Sequence, residues 1–375
     1  MAGNLEAEFA IGHAAAAGDP EGAWSRLVME SVGQIQPLAA RAGLGFVYVT
    51  DHLVPHLAEI TNLLRRSTGI RSWVGSVGIG VIATGTEYFD RPALVIMAAV
   101  LPAGSWRLFG SGEEPESGPE PDPLAGPEFA VVHADPRNPD LVEDVARLAG
   151  EPPRFLVGGL ASSRGALDQV AGTVVRGGIS GVLFGSGLNV TTGLSQGCSP
   201  IGPVRTVTAA QRNVLFELDG HPALEVFKQD IGEVLARKLE RVAGYIHAAF
   251  PVAGSDTGDY LVRNLMGIDA ARGWLAVGEQ VAVGDRVLFV RRDRQAAEQD
   301  LVRMLQKLKR GCPRPRGGLY FSCLARGPNL FGAESAELQI IRRELGDVPL
   351  VGMFCNGEIS NNRLYGYTGV LTLFA

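Results

Sequence analysis

The feature that most constrains the fold is an order of apolar segments that occurs three times along the chain. Each occurrence reads as a buried strand, an amphipathic helix, a second strand carrying Val-Gly, and a third strand. The pairs Val74-Gly75, Val157-Gly158 and Val351-Gly352 begin 30, 28 and 32 residues after the start of their unit. We therefore predict a repeated β-α-β-β module, and the alternative is three ordinary α/β units whose spacing agrees by chance.

The three units define the predicted fold class, which is α/β with mixed sheets (α+β), in two domains built from the repeat. The domains are predicted at residues 1–205 and 206–375, joined near 200–219. The predicted strands are 44–50, 73–77, 93–101, 129–133, 155–158, 179–184, 319–324, 350–354 and 369–374. The predicted helices are 52–66, 139–149, 223–250, 295–309 and 335–345.

Composition excludes several classes of protein. The net charge of −6 argues against nucleic-acid binding, which uses basic surfaces. The longest apolar run, 93–101, is shorter than the roughly 20 residues of a membrane span. The four cysteines form no C-x-x-C pair, which is typical of reduced thiols in a cytoplasmic protein. Segment 110–126 is rich in Pro, Gly and Glu and predicts a flexible acidic loop.

Familiar catalytic and nucleotide-binding motifs are absent or out of context. Residues 78–83 match G-x-G-x-x-A, but a turn follows where the dinucleotide motif needs a helix. There is no phosphate-binding G-x-x-x-x-G-K-[ST] and no G-x-S-x-G nucleophile turn. His52 and His56 have a spacing that suits a metal, yet no acidic or cysteine partner lies nearby in sequence. We expect them to be surface or capping residues.

Two predicted strands of the third unit end in small polar clusters that hold one charge each. Arg326 could bind a carboxylate through two parallel hydrogen bonds, and Glu358 could accept hydrogen bonds from an amine. Gly357, between Asn356 and Glu358, permits close approach of the backbone to a ligand. The candidate ligand-binding residues are Arg326, Asn356, Gly357, Glu358, Cys323 and Cys355. The alternative is an Arg326–Glu358 ion pair that only clamps two loops.

Three further side chains suggest other chemistry. Arg326 and the strand end could lower the pKa of Cys323 and make it a reactive thiol, although a buried, inert cysteine is the alternative. His133 is the last residue of a predicted strand, and His221 lies in the predicted domain join. Either could ligate haem, although a histidine satisfied by neighbouring backbone is commoner.

The C-terminal third resembles a known family. Residues 317–327 (GGLYFSCLARG) and 351–359 (VGMFCNGEI) are similar to the C-terminal half of the FIST family. Residues 196–203 and 217–224 are similar to the join between its N- and C-terminal domains. Cys355 stands where the family often has Thr. The resemblance implies a bacterial sensory protein of signal transduction that binds small ligands such as amino acids, without catalytic activity.

The resemblance also implies partners and alternatives. A stand-alone FIST protein would pass its signal to a separate protein such as a kinase, and a homodimer is compatible with the sequence. No cofactor is required, but some FIST-like proteins bind haem, so a haem-based nitric oxide sensor is the first alternative. A cysteine-dependent enzyme and a protein-interaction scaffold are the others. No nucleic acid, membrane or metal partner is expected.

Overall fold

The computed structural model describes residues 7–18, 22–102, 104–110, 128–150, 153–185, 187–237, 239, 242, 244–252 and 259–375. The chain divides into two compact units. Unit 1 comprises Met1–Gln196 with Glu298–Ala375, and unit 2 comprises Gly197–Ala297. The predicted domains, 1–205 and 206–375, follow chain order, whereas unit 1 combines segments from both ends of the chain.

The described helices alternate with strands along the chain. They are α1 Trp24–Ala39, α2 Leu57–Thr68, α3 Leu141–Gly150, α4 Ala223–Ile231, α5 Glu233–Ala236, α6 Arg294–Gly311 and α7 Ala336–Leu345. Two 3-10 helices are Asp51–His56 and Gly327–Asn329.

Most of the described strands are short. Those before unit 2 are β1 Glu8–Ala15, β2 Leu44–Thr50, β3 Ser72–Gly78, β4 Gly80–Ala83, β5 Thr86–Phe89, β6 Ala93–Val100, β7 Trp106–Phe109, β8 Glu128–Ala134, β9 Arg154–Leu160, β10 Gln169–Ala171, β11 Thr173–Val175, β12 Ile179–Phe184 and β13 Val190–Gln196. Those of unit 2 are β14 Cys198–Pro200, β15 Arg205–Gln211, β16 Val214–Leu218, β17 His221–Pro222, β18 Ile246–Pro251, β19 Tyr260–Asp269, β20 Trp274–Val277 and β21 Arg286–Arg292. The last are β22 Gly317–Cys323, β23 Leu350–Cys355, β24 Glu358–Ser360, β25 Arg363–Tyr365 and β26 Thr368–Phe374.

Unit 1 contains three sheets with one strand order. The orders are β1-β6-β2-β3-β10-β11, β7-β12-β8-β9-β24-β25 and β13-β26-β22-β23-β4-β5. In each sheet the first two strands of one predicted unit run parallel, and the third strand pairs antiparallel with the first. The repeated module and the mixed α/β class are thus confirmed. We call the three units repeats 1, 2 and 3, and their sheets 1, 2 and 3.

The outermost hairpin of each sheet comes from a different repeat. Hairpin β4–β5 lies between β3 and β6 in the chain but pairs with β23 of sheet 3. Hairpin β10–β11 of repeat 2 pairs with β3 of sheet 1, and hairpin β24–β25 of repeat 3 pairs with β9 of sheet 2. The exchange is cyclic, so no repeat completes its sheet from its own strands.

The Val-Gly pairs mark equivalent points in the three sheets. Gly75, Gly158 and Gly352 lie opposite Val47, Val132 and Tyr320 on the parallel neighbour. A Cβ atom at these glycines would lie 1.6, 1.8 and 1.7 Å from the facing carbonyl oxygen. Only glycine permits this approach of two backbones, which explains the repeated residue.

The inner faces of the three sheets share one apolar core. Phe46, Val95, Val131, Val182 and Phe321 are among its fully buried members. On the outer faces, α1 and α2 cover sheet 1, and α3 covers sheet 2. We use "inner" for the face that carries this shared core and "outer" for the helix-covered face.

Unit 2 is an antiparallel sheet that closes on itself. Its pairings run β21-β15-β16-β20-β19-β18 and return from β18 to β21. Helix α4 contributes Leu224 and Phe227 to an interior that also holds Val207, Leu215 and Phe289. The predicted helix 223–250 is partly right: α4 and α5 form over 223–231 and 233–236, but β18 occupies its final residues.

Several other sequence predictions are resolved by the structure. The predicted helix 52–66 is shorter, since Asp51–His56 is a 3-10 helix containing Pro55 and α2 begins at Leu57. All but the first residue of the predicted loop 110–126 lie outside the described residues. Within the described part of the chain, no helix has both the length and the apolar character needed to cross a bilayer.

Candidate functional site

The parallel strands β22 and β23 end together and bring two predicted residues side by side. Cys323 and Cys355 are directly paired in the register of these strands. Both lie on the inner face, because they continue the alternation of Phe321 and Met353 in the shared core. Cys323 is 9% exposed and Cys355 is fully buried. The strand ends therefore place two free thiols at one end of the core.

Glu358 opens β24 and lies opposite Gly159 of β9, again on the inner face. Its side chain is fully buried. Thr368 donates to Oε2 from its backbone nitrogen at 3.1 Å and from its hydroxyl at 2.7 Å. Oε1 has no hydrogen-bond partner among the described residues. We call Glu358, Thr368, Cys323 and Cys355 the acid–thiol site.

The acid of this site is held in its neutral form. Burial raises the pKa of Glu358 to about 8, although the Thr368 bonds, Arg326 and the Cys323 thiol favour the charged form. The effect of the Cys323 thiol is the smallest of these. At neutral pH most molecules therefore carry a protonated Glu358 with one unpaired oxygen.

The thiols of the site are not activated. Burial raises the pKa of Cys323, the nearby Glu358 adds to this, and the influence of Arg326 is smaller. Burial and Glu358 also raise the pKa of Cys355. Arg326 does lower the pKa of Cys323, as predicted, but desolvation of the thiolate outweighs it, so the net pKa lies above its ordinary value and a reactive thiol is not supported.

Cys355 also fills a gap that connects the site to sheet 2. A Cβ atom at Gly159 would lie 2.1 Å from the Cys355 sulfur. Gly159 is flanked on neighbouring strands by Glu358 and His133. The absence of a side chain at Gly159 thus lets the thiol of sheet 3 lie between an acid and a histidine of sheet 2.

Arg326 forms a different contact from the one that the sequence predicts. It is fully buried, and its Nη2 and Nε lie 2.7 and 2.8 Å from Oε1 of Glu337 on α7. Burial alone would lower the pKa of Arg326, but Glu337 more than reverses this, so the guanidinium stays charged. Phe331 covers it, with the ring centroid 5.0 Å away. The Arg326–Glu358 ion pair is replaced by Arg326–Glu337.

Glu337 organises this outer-face cluster. It accepts hydrogen bonds from the hydroxyls of Tyr320 at 2.6 Å and Ser322 at 3.2 Å, and from the Gly327 backbone at 2.9 Å. Tyr320 and Ser322 alternate along β22 with the inward-facing Phe321 and Cys323. We call Arg326, Glu337, Tyr320, Ser322 and Glu87 the arginine cluster. Sequence reasoning missed Glu337, whose signal is its place in the first turn of a predicted helix.

Glu87, on the exchanged hairpin β4–β5, is the second acid that sequence reasoning missed. It is 8% exposed, and its Oε2 has no partner among the described residues. Burial raises its pKa to about 7, and the nearby Glu337 carboxylate contributes. Its backbone nitrogen donates to the Ser335 hydroxyl at 2.9 Å. No local sequence pattern links a residue of repeat 1 to helix α7.

Asn356 and Gly357 form the link between β23 of sheet 3 and β24 of sheet 2. The Asn356 nitrogen donates to the Leu160 oxygen at 3.1 Å, and the Leu160 nitrogen donates to the Gly357 oxygen at 2.9 Å. Gly357 has φ 131°, which favours glycine. The Asn356 side chain is exposed. The predicted Asn-Gly-Glu motif thus crosses between two sheets and carries Glu358 into the core.

The two predicted haem-ligand histidines occupy different units. His221 is exposed in unit 2. His133 is fully buried in unit 1, and burial lowers its pKa to about 3. Its Nε2 lies 3.2 Å from the Tyr48 hydroxyl, while Nδ1 has no partner among the described residues. The rings of Tyr48 and Phe321 pack edge-on against it at centroid distances of 5.5 and 5.9 Å.

These three rings reveal the symmetry of unit 1. Tyr48, His133 and Phe321 come directly after Val47, Val132 and Tyr320, the residues that face the repeated glycines. The three rings therefore occupy equivalent positions in the three repeats. Each ring contacts the other two. The axis that relates the repeats therefore passes near this aromatic triad, with the acid–thiol site beside it.

The chemistry available at the acid–thiol site follows from its carboxyl and thiol groups. Oε1 of a neutral, buried acid can donate or accept a hydrogen bond, and an ionised Glu358 would balance a cationic ligand. In the described part of the chain, no group of three or more His, Cys, Asp or Glu side chains is arranged to hold a metal. The site thus offers one unpaired carboxyl oxygen among the described residues, and its thiols have raised pKa values.

Comparisons with known proteins found relatives in mycobacteria. The chain is 30% identical over 357 residues to an uncharacterised protein of Mycobacterium tuberculosis, with 87% of this chain and 88% of that protein covered. An uncharacterised protein of Mycobacterium bovis is 31% identical over 210 residues, covering 54% of each chain. A solved structure described as T. maritima PurL complexed with ADP covers 98% of this chain and 71% of its own, at 11% identity, but its TM-score of 0.25 carries no argument.

The family models match most of the sequence. The FIST N domain matches residues 43–221, and the FIST C domain matches residues 223–361. FIST domains are regarded as sensory domains of signal transduction. The chain therefore belongs to the FIST family.

Proposed function

We propose that this protein is a ligand-binding sensor without catalytic activity, and that its ligand binds at the acid–thiol site. The observation that carries the proposal is the buried Glu358 with Oε1 unpartnered. Leaving a buried polar group unpaired costs about 1–3 kcal/mol, which a ligand donor would recover. Most buried polar side-chain atoms in native structures have a hydrogen-bond partner.

The proposed ligand class is small molecules with an amine, and amino acids are the first to test. An ammonium group would donate to Glu358 and stabilise its charged form. Arg326 is already paired with Glu337, so it does not supply the second half of an amino-acid clamp. Asn356, exposed beside Glu358 in sequence, is the proposed contact for the rest of the ligand.

The proposed output is a shift between two conformations of unit 1 that a separate signalling protein, such as a kinase, distinguishes. A ligand can shift such an equilibrium only by its difference in affinity for the two states. A homodimer is compatible with this scheme. A nucleophilic role for Cys323 is disfavoured by its raised pKa.

Calorimetric titration of the protein with the common amino acids at pH 7 tests the proposal. We expect one or a few to bind, and Glu358→Gln to weaken binding by tenfold or more. Because Glu358 is protonated in the free protein, binding of an amine should release up to one proton. The apparent enthalpy should therefore differ between buffers with different heats of ionisation.

The matched control is Glu87→Gln, which changes a second buried acid outside the acid–thiol site and should leave affinity unchanged. Freshly purified protein should also be analysed by mass spectrometry for a retained small molecule. If no amino acid binds and nothing copurifies, the proposed function is contradicted.

A further inference from the structure

The repeats allow a comparison of three equivalent positions on the exchanged hairpins. The strand partners of Val81, Gln169 and Glu358 are Met353, Ser76 and Gly159, respectively. Each partner lies two residues after the Val of a Val-Gly pair. All three hairpin residues face inward. They are therefore the same position in three seams where a hairpin of one repeat joins the sheet of another.

Two of the seams are closed by complementary side chains. Gln169 accepts a hydrogen bond from the Ser180 hydroxyl at 2.5 Å, and its Nε2 donates to the Gly177 and Gly178 oxygens at 3.3 Å. Val81 is an apolar member of the shared core. Neither position carries a charge or an unpaired polar atom among the described residues.

The third seam lacks this complementarity. Glu358 carries an ionisable group with one oxygen unpartnered. The residue opposite it, Gly159, has no side chain, and the space is filled by the Cys355 thiol from another sheet. The hairpin that carries Glu358 is joined to β23 by only Asn356 and Gly357. Of the three seams, the one that contains Glu358 is thus the one whose buried polar groups are least completely hydrogen-bonded.

We propose that hairpin β24–β25 is the lid of the acid–thiol site: it separates from β9, exposes Cys355 and Cys323, and closes again over the ligand. This inference rests on the proposed function for the ligand, but the opening itself is a property of the protein alone. Three residue pairs hold β24 to β9. The hairpin belongs to repeat 3 and completes sheet 2, so its position couples the ligand to both repeats.

The chain offers an intrinsic probe of this opening. Cys355 is fully buried in the closed protein, so a thiol reagent reaches it only when the structure opens. Cys312 is also buried, at 1% exposure, and lies after α6, away from the acid–thiol site in sequence. Labelling with N-ethylmaleimide, followed by peptide mass spectrometry, measures the opening at each cysteine separately. We expect Cys355 to be labelled at least tenfold faster than Cys312.

A disulfide across the seam tests whether the hairpin is the part that moves. Val157 and Ser360 face each other across β9 and β24. Directly opposed residues of antiparallel strands lie within the Cα range of a disulfide. In the oxidised double variant Val157→Cys/Ser360→Cys, Cys355 labelling should fall at least tenfold. Reduction with dithiothreitol should restore it.

The symmetry supplies a matched control. Val74 and Ala171 form the equivalent pair across β3 and β10. Oxidised Val74→Cys/Ala171→Cys should leave Cys355 labelling within twofold of the wild-type rate. If both disulfides slow labelling equally, opening is global and the lid is contradicted. If neither slows it, the reagent enters by another route and the lid is again contradicted.

Amide hydrogen exchange of the unmodified protein provides a measurement that needs no variant. We expect the amides of residues 358–365 to exchange at least tenfold faster than those of residues 169–175, the equivalent hairpin. Equal protection of the two hairpins would overturn the proposal. Neither experiment uses a ligand, so failure of the lid and failure of the sensor function are distinguishable.

Discussion

At the scale of single residues, unit 1 treats two fully buried glutamates in opposite ways. Glu337 faces Arg326 and three hydrogen-bond donors, so its charge is compensated. Glu358 accepts two hydrogen bonds from Thr368, and burial keeps it protonated near neutrality. The first arrangement fixes α7 to β22, and the second leaves bonding capacity free. This contrast is the reason to assign stability to the arginine cluster and recognition to the acid–thiol site.

Removing the partner of Arg326 should destabilise the protein strongly. Glu337→Gln leaves a buried guanidinium without its counter-ion, and breaking a buried pair in this way costs about 3–5 kcal/mol. The measurement is urea unfolding followed by circular dichroism. Glu334→Gln, an exposed acid three residues away, should change stability by less than about 0.5 kcal/mol. Equal effects of the two substitutions would contradict the role of Glu337.

Glu358 should make stability depend on pH. Its pKa of about 8 in the fold exceeds the ordinary value of 4.5, so the folded state holds the proton more tightly. Its contribution is complete below about pH 4.5 and is lost as pH rises through about 8, by up to roughly 5 kcal/mol. The titratable and charged groups that act on it are Cys323 and Cys355 on the inner face and Arg326 on the outer face.

Unfolding of wild-type protein and Glu358→Gln at pH 5, 7 and 9 measures this contribution. The wild type should lose more stability than the variant between pH 5 and 9. Glu87, with its pKa raised to about 7, contributes in the same direction in both proteins and cancels in the comparison. Parallel pH curves for the two proteins would show that Glu358 is ionised in the fold.

At the scale of elements, the sequence predicted buried strands well and exchanged hairpins not at all. The strands Leu44–Thr50 and Ile179–Phe184 match their predictions, because continuous apolar runs bounded by polar residues have few other solutions. Hairpins such as Glu358–Ser360 with Arg363–Tyr365 are short, and their partners lie in another repeat. Local patterns contain no information about such partners.

The same limit explains the partial success with the site. The sequence placed Cys323, Cys355 and Glu358 at strand ends, and these residues do form one cluster. It did not show that Arg326 turns to the outer face, because that depends on where α7 packs. Ser335, the first residue of the predicted helix 335–345, forms no side-chain cap bond and instead accepts a hydrogen bond from the Glu87 backbone. In both cases a tertiary contact replaced a local one.

The repeated glycines should be intolerant of a methyl group. Gly75→Ala, Gly158→Ala and Gly352→Ala each force a Cβ atom into a backbone carbonyl less than 2 Å away. Backbone cannot yield as a flexible side chain does, so each should destabilise by about 3 kcal/mol or more. Gly150→Ala is the control, because nothing lies within 4 Å of its added methyl group. Thermal unfolding compares the four variants, and tolerance of Gly158→Ala would show that the strand pairing differs.

At the scale of the whole molecule, unit 1 is three copies of one module that complete each other by exchange. Each sheet borrows its last hairpin from another repeat, and the inner faces share one core. Such an arrangement makes the repeats folding partners rather than independent domains. It also gives each seam a different chemistry at one position: Val81, Gln169 or Glu358.

The exchange predicts that a cut between repeats 1 and 2 will not separate the fragments. The cut is made by coexpressing residues 1–110 and 128–375 as two separate chains. The two fragments should then elute together in gel filtration, because β4–β5 completes sheet 3 and β10–β11 completes sheet 1. They should separate only in denaturant. Separation under native conditions would contradict the exchanged topology.

The measurement that tests the central claim most directly is a crystal structure of freshly purified protein at high resolution. We predict non-protein density within about 3.2 Å of Glu358 Oε1, larger than a water molecule, with Asn356 ordered beside it. An Oε1 that contacts only protein atoms or a single water, with hairpin β24–β25 as well packed as β10–β11, would contradict the account.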